Sequence, residues 1–464
     1  MSQIPTVNTP RLLLGHVSAP SGALVILDGG LMHLWHHDRD PIVPPGTVDE
    51  ELRAKMNAEV DLAIEGPEAV VAGKNFDRQW NPNYLFDIPR EAVDKITSDF
   101  QTMVREKDLI ARVVQLPRRI HHRQRIDLAL EHGQGAGEIQ FHGVMGAAVA
   151  HVPRGQELPV TGQRCEGEER DKSRWRHVLI DCRPELKPTR TEFAGYLGVD
   201  EGRLLIADID ALGSWKHDES LDGLADFAFF GKDAEKLAEK VGAQSTGHEN
   251  EYGWRDLPVD EARQIREAVI RTRDKHKLEA TGGVRLHSHH YLAMDQVRST
   301  DTESASLSVG GAWMCLFMTT WGDGAFEVWR DLDDAGQLVR IRIDLGNERI
   351  VQRQRRFEEL WFGAFAKLAF VSKRITDDRE PVRWLYREPP DNADDSGWRI
   401  YAGDEDQEYC DNANNVALVP LRDLIRLEKT LEEVFKAPVG AAFERSDADE
   451  TFTRVEDWKP PDEE

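Results

Sequence analysis

SGALVILDGGLMHLWHHD at residues 21–38 and EGRLLIADIDALGSWKHD at residues 201–218 decide how this chain is built. The two stretches align without a gap. Gly22, Leu24, Ile26 and Asp28 match Gly202, Leu204, Ile206 and Asp208, and Trp35, His37 and Asp38 match Trp215, His217 and Asp218. Each reads as a glycine turn feeding a short apolar strand, a polar break, and a Trp-x-His-Asp exit. Weaker anchors follow in the same order. Residues 71–74 parallel 229–232, and Asp87-Ile88-Pro89 parallels Asp256-Leu257-Pro258. The latter pair reads as two helix starts, with aspartate as N-cap and proline in the first turn. His121, His122 and Asp127 then parallel His289, His290 and Asp295, and residues 158–160 and 178–181 parallel 326–328 and 341–344. Identity at the later anchors is near background, so their shared order carries the argument. It predicts a tandem duplication, residues 1–185 and 191–348, joined by the proline- and charge-rich stretch 183–191.

Inside the second copy, residues 233–241 and 259–275 carry helical periodicity, with Ala262, Ile265, Ala268 and Val269 on one face. Residues 313–320, 325–330 and 338–345 read as a strand meander turned at Gly322-Asp323-Gly324 and again at Asp333-Asp334-Ala335-Gly336. The last strand alternates apolar residues with arginine, which predicts one wet face. Strands at both ends with helices between give an α+β class: two related sheet-plus-helix modules in tandem, followed by a small α+β domain.

The 464 residues allow two to four domains. A formal net charge of -25 argues against nucleic acid or anionic lipid as a partner, and favours a basic one. The apolar run at 310–321 is too short to cross a bilayer, so no membrane partner is expected. Residues 1–10 have neither the basic nor the apolar region of a secretory leader. Cys165, Cys182, Cys315 and Cys410 are scattered without a C-x-x-C pair and read as reduced thiols, which points to the cytoplasm.

Two resemblances add to this. With Gly198, Gly202, Ile206 and Asp208, then Trp321-Gly322-Asp323-Gly324, residues 193–344 resemble a widespread bacterial family of unknown function. The C-terminal region carries Val371-Ser372-Lys373, Tyr386-Arg387-Glu388, Asp395-Ser396-Gly397-Trp398-Arg399, Gly403-Asp404-Glu405-Asp406, and a Pro438-Val439-Gly440 to Phe443-Glu444-Arg445 ending. Those marks resemble the immunity protein 33 type of domain found in polymorphic-toxin systems. The resemblance implies a domain over 365–446 that binds and neutralises a protein toxin without catalysis or cofactor, ahead of an acidic disordered tail at 447–464. From the residues themselves, 381–386 and 398–402 read as strands and 421–435 as one helix.

Candidate sites follow from both readings. Trp398 and Tyr401 are the expected aromatic anchors for a partner, and Asp404, Glu405 and Asp406 would steer its basic surface. As a calcium loop the acidic run fails, because Tyr409 stands where the glycine belongs and Asn415 where the closing glutamate belongs. The alternative is a metal-dependent hydrolase on His287, His289, His290 and Asp295, since His287 and His289 would share a face of a strand. Hydrogen-bonded strand histidines explain the same pattern more simply. A third reading is a scaffold binding a small ligand in the cleft between the modules.

Overall fold

The computed structural model describes residues 10–76, 81–166, 172–447, 450–456 and 458–459. The chain divides into two compact units, Met1–Asn347 and Glu348–Glu464. Both are α+β.

In the first unit the two halves repeat one order of elements. Strands Arg11–Ser18 and Ala23–Asp28 open the first half, and Arg190–Val199 and Arg203–Asp208 open the second. Each pair is followed by a short 3-10 turn, a small antiparallel sheet backed by helices, one further helix, and a four-strand ending. The halves do not fold side by side. One six-stranded sheet runs Arg11–Ser18, Glu157–Arg164, Trp175–Asp181, Leu338–Asp344, Gly324–Leu332, Arg190–Val199, three strands from each half in mirrored order. The other runs Ser304–Val309, Ala312–Met318, Arg203–Asp208, Ala23–Asp28, Val144–Ala150, Ala136–Phe141, again mirrored. At its centre the two opening strands pair antiparallel, Ile26 opposite Ile206.

These central strands are apolar on both faces because both faces are covered: every residue of Ala23–Asp28 is buried. One continuous core takes Val25, Leu27, Trp35 and Phe141 from the first half and Leu205, Trp215, Met314 and Leu316 from the second. Residues on both sides of the stretch 183–191 therefore share one core.

The aligned aspartates clamp across this centre. Asp28 accepts the N–H groups of Asp200 and Glu201 at 2.6 and 3.1 Å, holding the second half's turn. Asp208 accepts Ser21 N–H at 2.9 Å and Ser21 Oγ–H at 2.6 Å, holding the first. Gly22 and Gly202 supply the positive φ, 86° and 63°, that each turn requires.

Several expectations shift. Residues 71–74 lie in helix Ala69–Phe76, whereas 229–232 end a strand, so those segments are not equivalent. The true partner of Gly231 is Gly66: each follows the central strand of its small sheet with φ of 131° and 126°. Asp87 and Asp256 are not N-caps; both sit in the left-handed region at φ 52° and 54°, and Pro89 and Pro258 hold the caps. The arginine face of Leu338–Asp344 is not wet, since Arg342 is buried and donates to Asp344 at 2.9 Å.

The second unit centres on one sheet, ordered Val416–Pro420, Leu368–Ser372, Asp395–Tyr401, Trp384–Arg387, Ala442–Glu444, Thr453–Arg454. Its core holds Val371, Leu385, Trp398 and Ile400 against Leu421, Leu424, Leu431 and Phe435. The single helix expected over 421–435 is two, Leu421–Leu427 and Leu431–Val434. Glu428 between them is extended and pairs with Arg445 at 2.6 Å. Part of the stretch expected to be disordered is ordered: Thr453–Arg454 pairs with the sheet edge. Residues 448–449, 457 and 460–464 of that stretch lie outside the described residues.

Candidate functional site

The C-terminal sheet packs one face against helices Leu421–Leu427 and Leu431–Val434. Strand alternation sends Trp398 and Ile400 into the core and Arg399 and Tyr401 to the other side. That second face gathers Phe370, Trp384, Tyr386, Arg399, Tyr401 and Leu418. Phe370 and Leu418 are direct cross-strand partners, 36% and 58% exposed. Tyr386 stacks on Tyr401 with ring centroids 6.1 Å apart, and Trp458 lies against Tyr386 at 4.8 Å. Arg399 is fixed at the centre: it donates to both oxygens of Asp395 at 3.0 Å, to Glu388 at 2.5 Å, and lies 4.2 Å over the Phe370 ring. Burial opposes the Asp395 carboxylate, but the Arg399 bonds and the N–H groups of Asp391 and Gly397 win and hold it at about 2. Residues 369–456 match the Immunity protein Imm33 domain. Searches of the curated proteins and of the solved structures each return no significant match.

Within residues 369–456 the expected site residues separate. Trp398 has no exposed surface, so it is a core residue and no partner can touch it while the domain is folded. Tyr401 is half-buried on the face opposite Trp398, its phenol pushed up by burial and by the neighbouring Tyr386. Asp404 is exposed and pairs with Arg374 at 2.8 Å. Glu405 turns back to accept the N–H groups of Ala402 and Gly403, both at 2.8 Å. Asp406 caps helix Gln407–Cys410 through Tyr409 N–H at 2.8 Å. Two of the three acids therefore shape a turn, and Asp404 and Asp406 also present charge. Sequence reading missed Phe370, Tyr386, Arg399 and Leu418, because only strand pairing brings them together.

The histidine set of the first unit also divides. His287 and His289 do not share a strand: Thr281–Leu286 ends first, Ser288 caps the next helix, and His289 begins it. His287 Nδ1 lies 3.0 Å from Asp222, and its Nε2 3.1 Å from Asp226 and 3.9 Å from Asp256. Burial pulls the His287 imidazole down, but its hydrogen bonds to Asp222 and Asp226 override this and raise it. His289 accepts Lys216 N–H at 2.8 Å through Nδ1 and packs on Trp215. His290 stacks on His217, centroids 4.2 Å apart. Asp295 joins neither group of potential metal ligands among the described residues. The four residues do not converge, and the aspartates that surround His287 come from 31 to 65 positions away.

The two Trp-x-His-Asp exits meet. Trp35, His36 and Asp38 from one half and Trp215, His217 and Asp218 from the other line an open cleft of about 510 Å³. Burial, with His142 and Arg39 nearby, pushes His36 down to about 4; burial, with His33 and Arg203, does the same to His217. Both rings are neutral at pH 7, and His36 Nε2 has no hydrogen-bond partner among the described residues. No described helix is long and apolar enough to cross a membrane.

Proposed function

We propose that this protein is an immunity-type protein that neutralises a bacterial toxin by binding it directly, without catalysis of its own. The match of residues 369–456 to the Immunity protein Imm33 domain carries the reading. The binding face would be the side of the C-terminal sheet opposite Trp398, where Tyr401, Phe370 and Leu418 offer apolar contact beside Asp404 and Asp406. A net charge of -25 would speed association with a basic partner. On this reading the first unit is a tandem duplication, supported by its repeated element order. Its residues 1–185 and 191–348 are modules of one body, and the protein acts in the cytoplasm, where a returning toxin would be met.

Affinity capture from the native cells, followed by co-expression of any captured toxin with this chain, tests the proposal. Survival of the co-expressing cells, lost on Leu418→Asp, is the expected result. Capture of no toxin-like protein together with no rescue would overturn it. A second reading, a small ligand held between the halves, is favoured by the cleft lined from both. It predicts that a metabolite retained by the native chain is lost from Trp215→Ala, and equal retention would remove it.

A further inference from the structure

The first half holds the counterpart of the aspartate cluster around His287. Asp61 and Asp226 occupy the same position in the central strands of the two small sheets, and each accepts the N–H of the left-handed aspartate beyond, Asp87 or Asp256, at 2.9 Å. In the first half these carboxylates meet permanent cations. Arg125, fully buried, donates to Asp87 at 2.6 and 2.8 Å and to Asp61 at 3.3 Å, while Arg119 bonds Asp87 and reaches Glu59 at 2.9 Å. Helix His122–His132 aligns with His289–Ser299, because His122 Nδ1 accepts His36 N–H as His289 Nδ1 accepts Lys216 N–H; His289 thus matches His122, one residue on from the His121 that sequence alone pairs with it. Counted along the helix from there, Leu292 stands at the place of Arg125.

The Arg125 guanidinium is therefore gone in the second half, yet the carboxylates remain and Asp222 is added. Among the described residues, no lysine or arginine pairs with Asp222, Asp226 or Asp256; the basic group on all three is His287. One oxygen each from Asp226 and Asp256 and one nitrogen of His287 lie within 4.8 Å of one another. A tetrahedral ion held at about 2.0–2.2 Å wants its donors roughly 3.3–3.6 Å apart. The observed 3.1 and 3.9 Å from His287 Nε2 bracket that spacing.

The surroundings suit a metal as well. Asp222 takes His287 Nδ1 at 3.0 Å, which leaves Nε2 toward the other two acids, the carboxylate–histidine–metal arrangement. Tyr291 donates its hydroxyl to Asp226 Oδ2 at 2.5 Å, fixing Asp226 with Oδ1 turned toward His287 Nε2 and the Asp256 N–H. His287 and Asp226 are 8% and 6% exposed, whereas the Asp256 side chain is 76% exposed and leaves a path from solvent. The similar group Glu59, Asp87 and His142 in the first half has Arg119 and Arg125 on its carboxylates, and those charges would repel an ion.

We propose that His287 Nε2 with one carboxylate oxygen each of Asp226 and Asp256 binds a single divalent transition-metal ion of the zinc class, with Asp222 and Tyr291 as positioning residues. The mixed nitrogen and oxygen donors suit Zn²⁺. The set shares only His287 with the histidine cluster read from sequence. The ion does for the second small sheet what Arg125 does for the first, drawing the strand aspartate and the left-handed aspartate together.

The test is calorimetric titration of Zn²⁺ into the full chain after dialysis against a chelator, repeated with Co²⁺ to read its visible absorption. One ion per chain with a tetrahedral Co²⁺ spectrum is expected. Asp222→Asn should weaken binding by about 10- to 100-fold. His287→Gln and Asp256→Asn should weaken it further, and Glu59→Gln should leave it unchanged. Because the Asp256 side chain is exposed, Asp256→Asn stays informative if His287→Gln fails to fold. No stoichiometric Zn²⁺ binding, or undiminished binding in folded Asp256→Asn, would overturn the proposal.

Discussion

Replacing Arg399 with methionine keeps the length of the side chain and removes its charge, leaving Asp395 as a carboxylate that is 3% exposed and has lost its counter-ion. The native pair holds Asp395 near 2, almost two units below an ordinary carboxylate, which corresponds to about 2.5 kcal/mol at neutral pH. The N–H groups of Asp391 and Gly397 keep part of that stabilisation, while the uncompensated buried charge and the lost contact with Phe370 add to the cost. Breaking a buried ion pair from one side costs about 3–5 kcal/mol, and Arg399→Met belongs at the lower end of that range. The pH dependence has a definite sign. A depressed carboxylate stabilises the native protein above its ordinary value, and that stabilisation is lost as pH falls from about 4 toward 2. In Arg399→Met the Arg399 bonds that lower Asp395 are gone, so less stabilisation is left for acid to remove, and the gap between native and variant narrows from pH 7 to pH 3. Urea denaturation of the full chain, read through hydrogen exchange of the 395–401 amides, measures this. Adding Asp395→Asn to Arg399→Met should recover more than about 1 kcal/mol, as coupled neighbours do. A gap below about 1 kcal/mol at pH 7, or one as large at pH 3 as at pH 7, would refute the reasoning.

Trp398→Ala should destabilise the C-terminal unit by about 3–5 kcal/mol, the cost of emptying a core site, and exchange protection of the 395–401 amides should fall with it; unchanged stability would return Trp398 to the list of surface anchors. Asp208→Ala strips acceptors from Ser21, Asp210 and Ala211 and should cost about 1–3 kcal/mol, measured as a lower unfolding midpoint with an unchanged m-value. His36 and His217 are held down to about 4 and His290 to about 3, in each case first by burial. Because the unfolded chain takes up these protons first, the stability of the first unit should fall as pH drops from about 6.5 toward 4; a melting profile flat across that window would contradict the burial argument.

How much was legible depended on the distance over which each feature is encoded. The opening strands and the turn glycines, Gly22 and Gly202, are local, and the gapless alignment found them. The 71–74 anchor failed because Gly73 and Gly231 resemble each other only in sequence; the feature that repeats is the left-handed backbone at Gly66 and Gly231, and one letter does not state a φ. The Imm33 marks located the domain but not its surface. Trp398 and Arg399 are adjacent in the chain and point to opposite faces of the sheet, and which face is covered depends on helices more than twenty residues further on.

By itself the sequence determined the α+β class, the repeated order of elements and the C-terminal resemblance, since strand alternation, helical periodicity and turn chemistry act over a few residues. The tertiary structure alone decided that the two halves share their sheets, that Asp28 and Asp208 each hold the other half's turn, and that His287 sits among Asp222, Asp226 and Asp256. Strand pairing and the burial of charge are long-range: a carboxylate becomes a clamp or a ligand only when a distant segment delivers its partner.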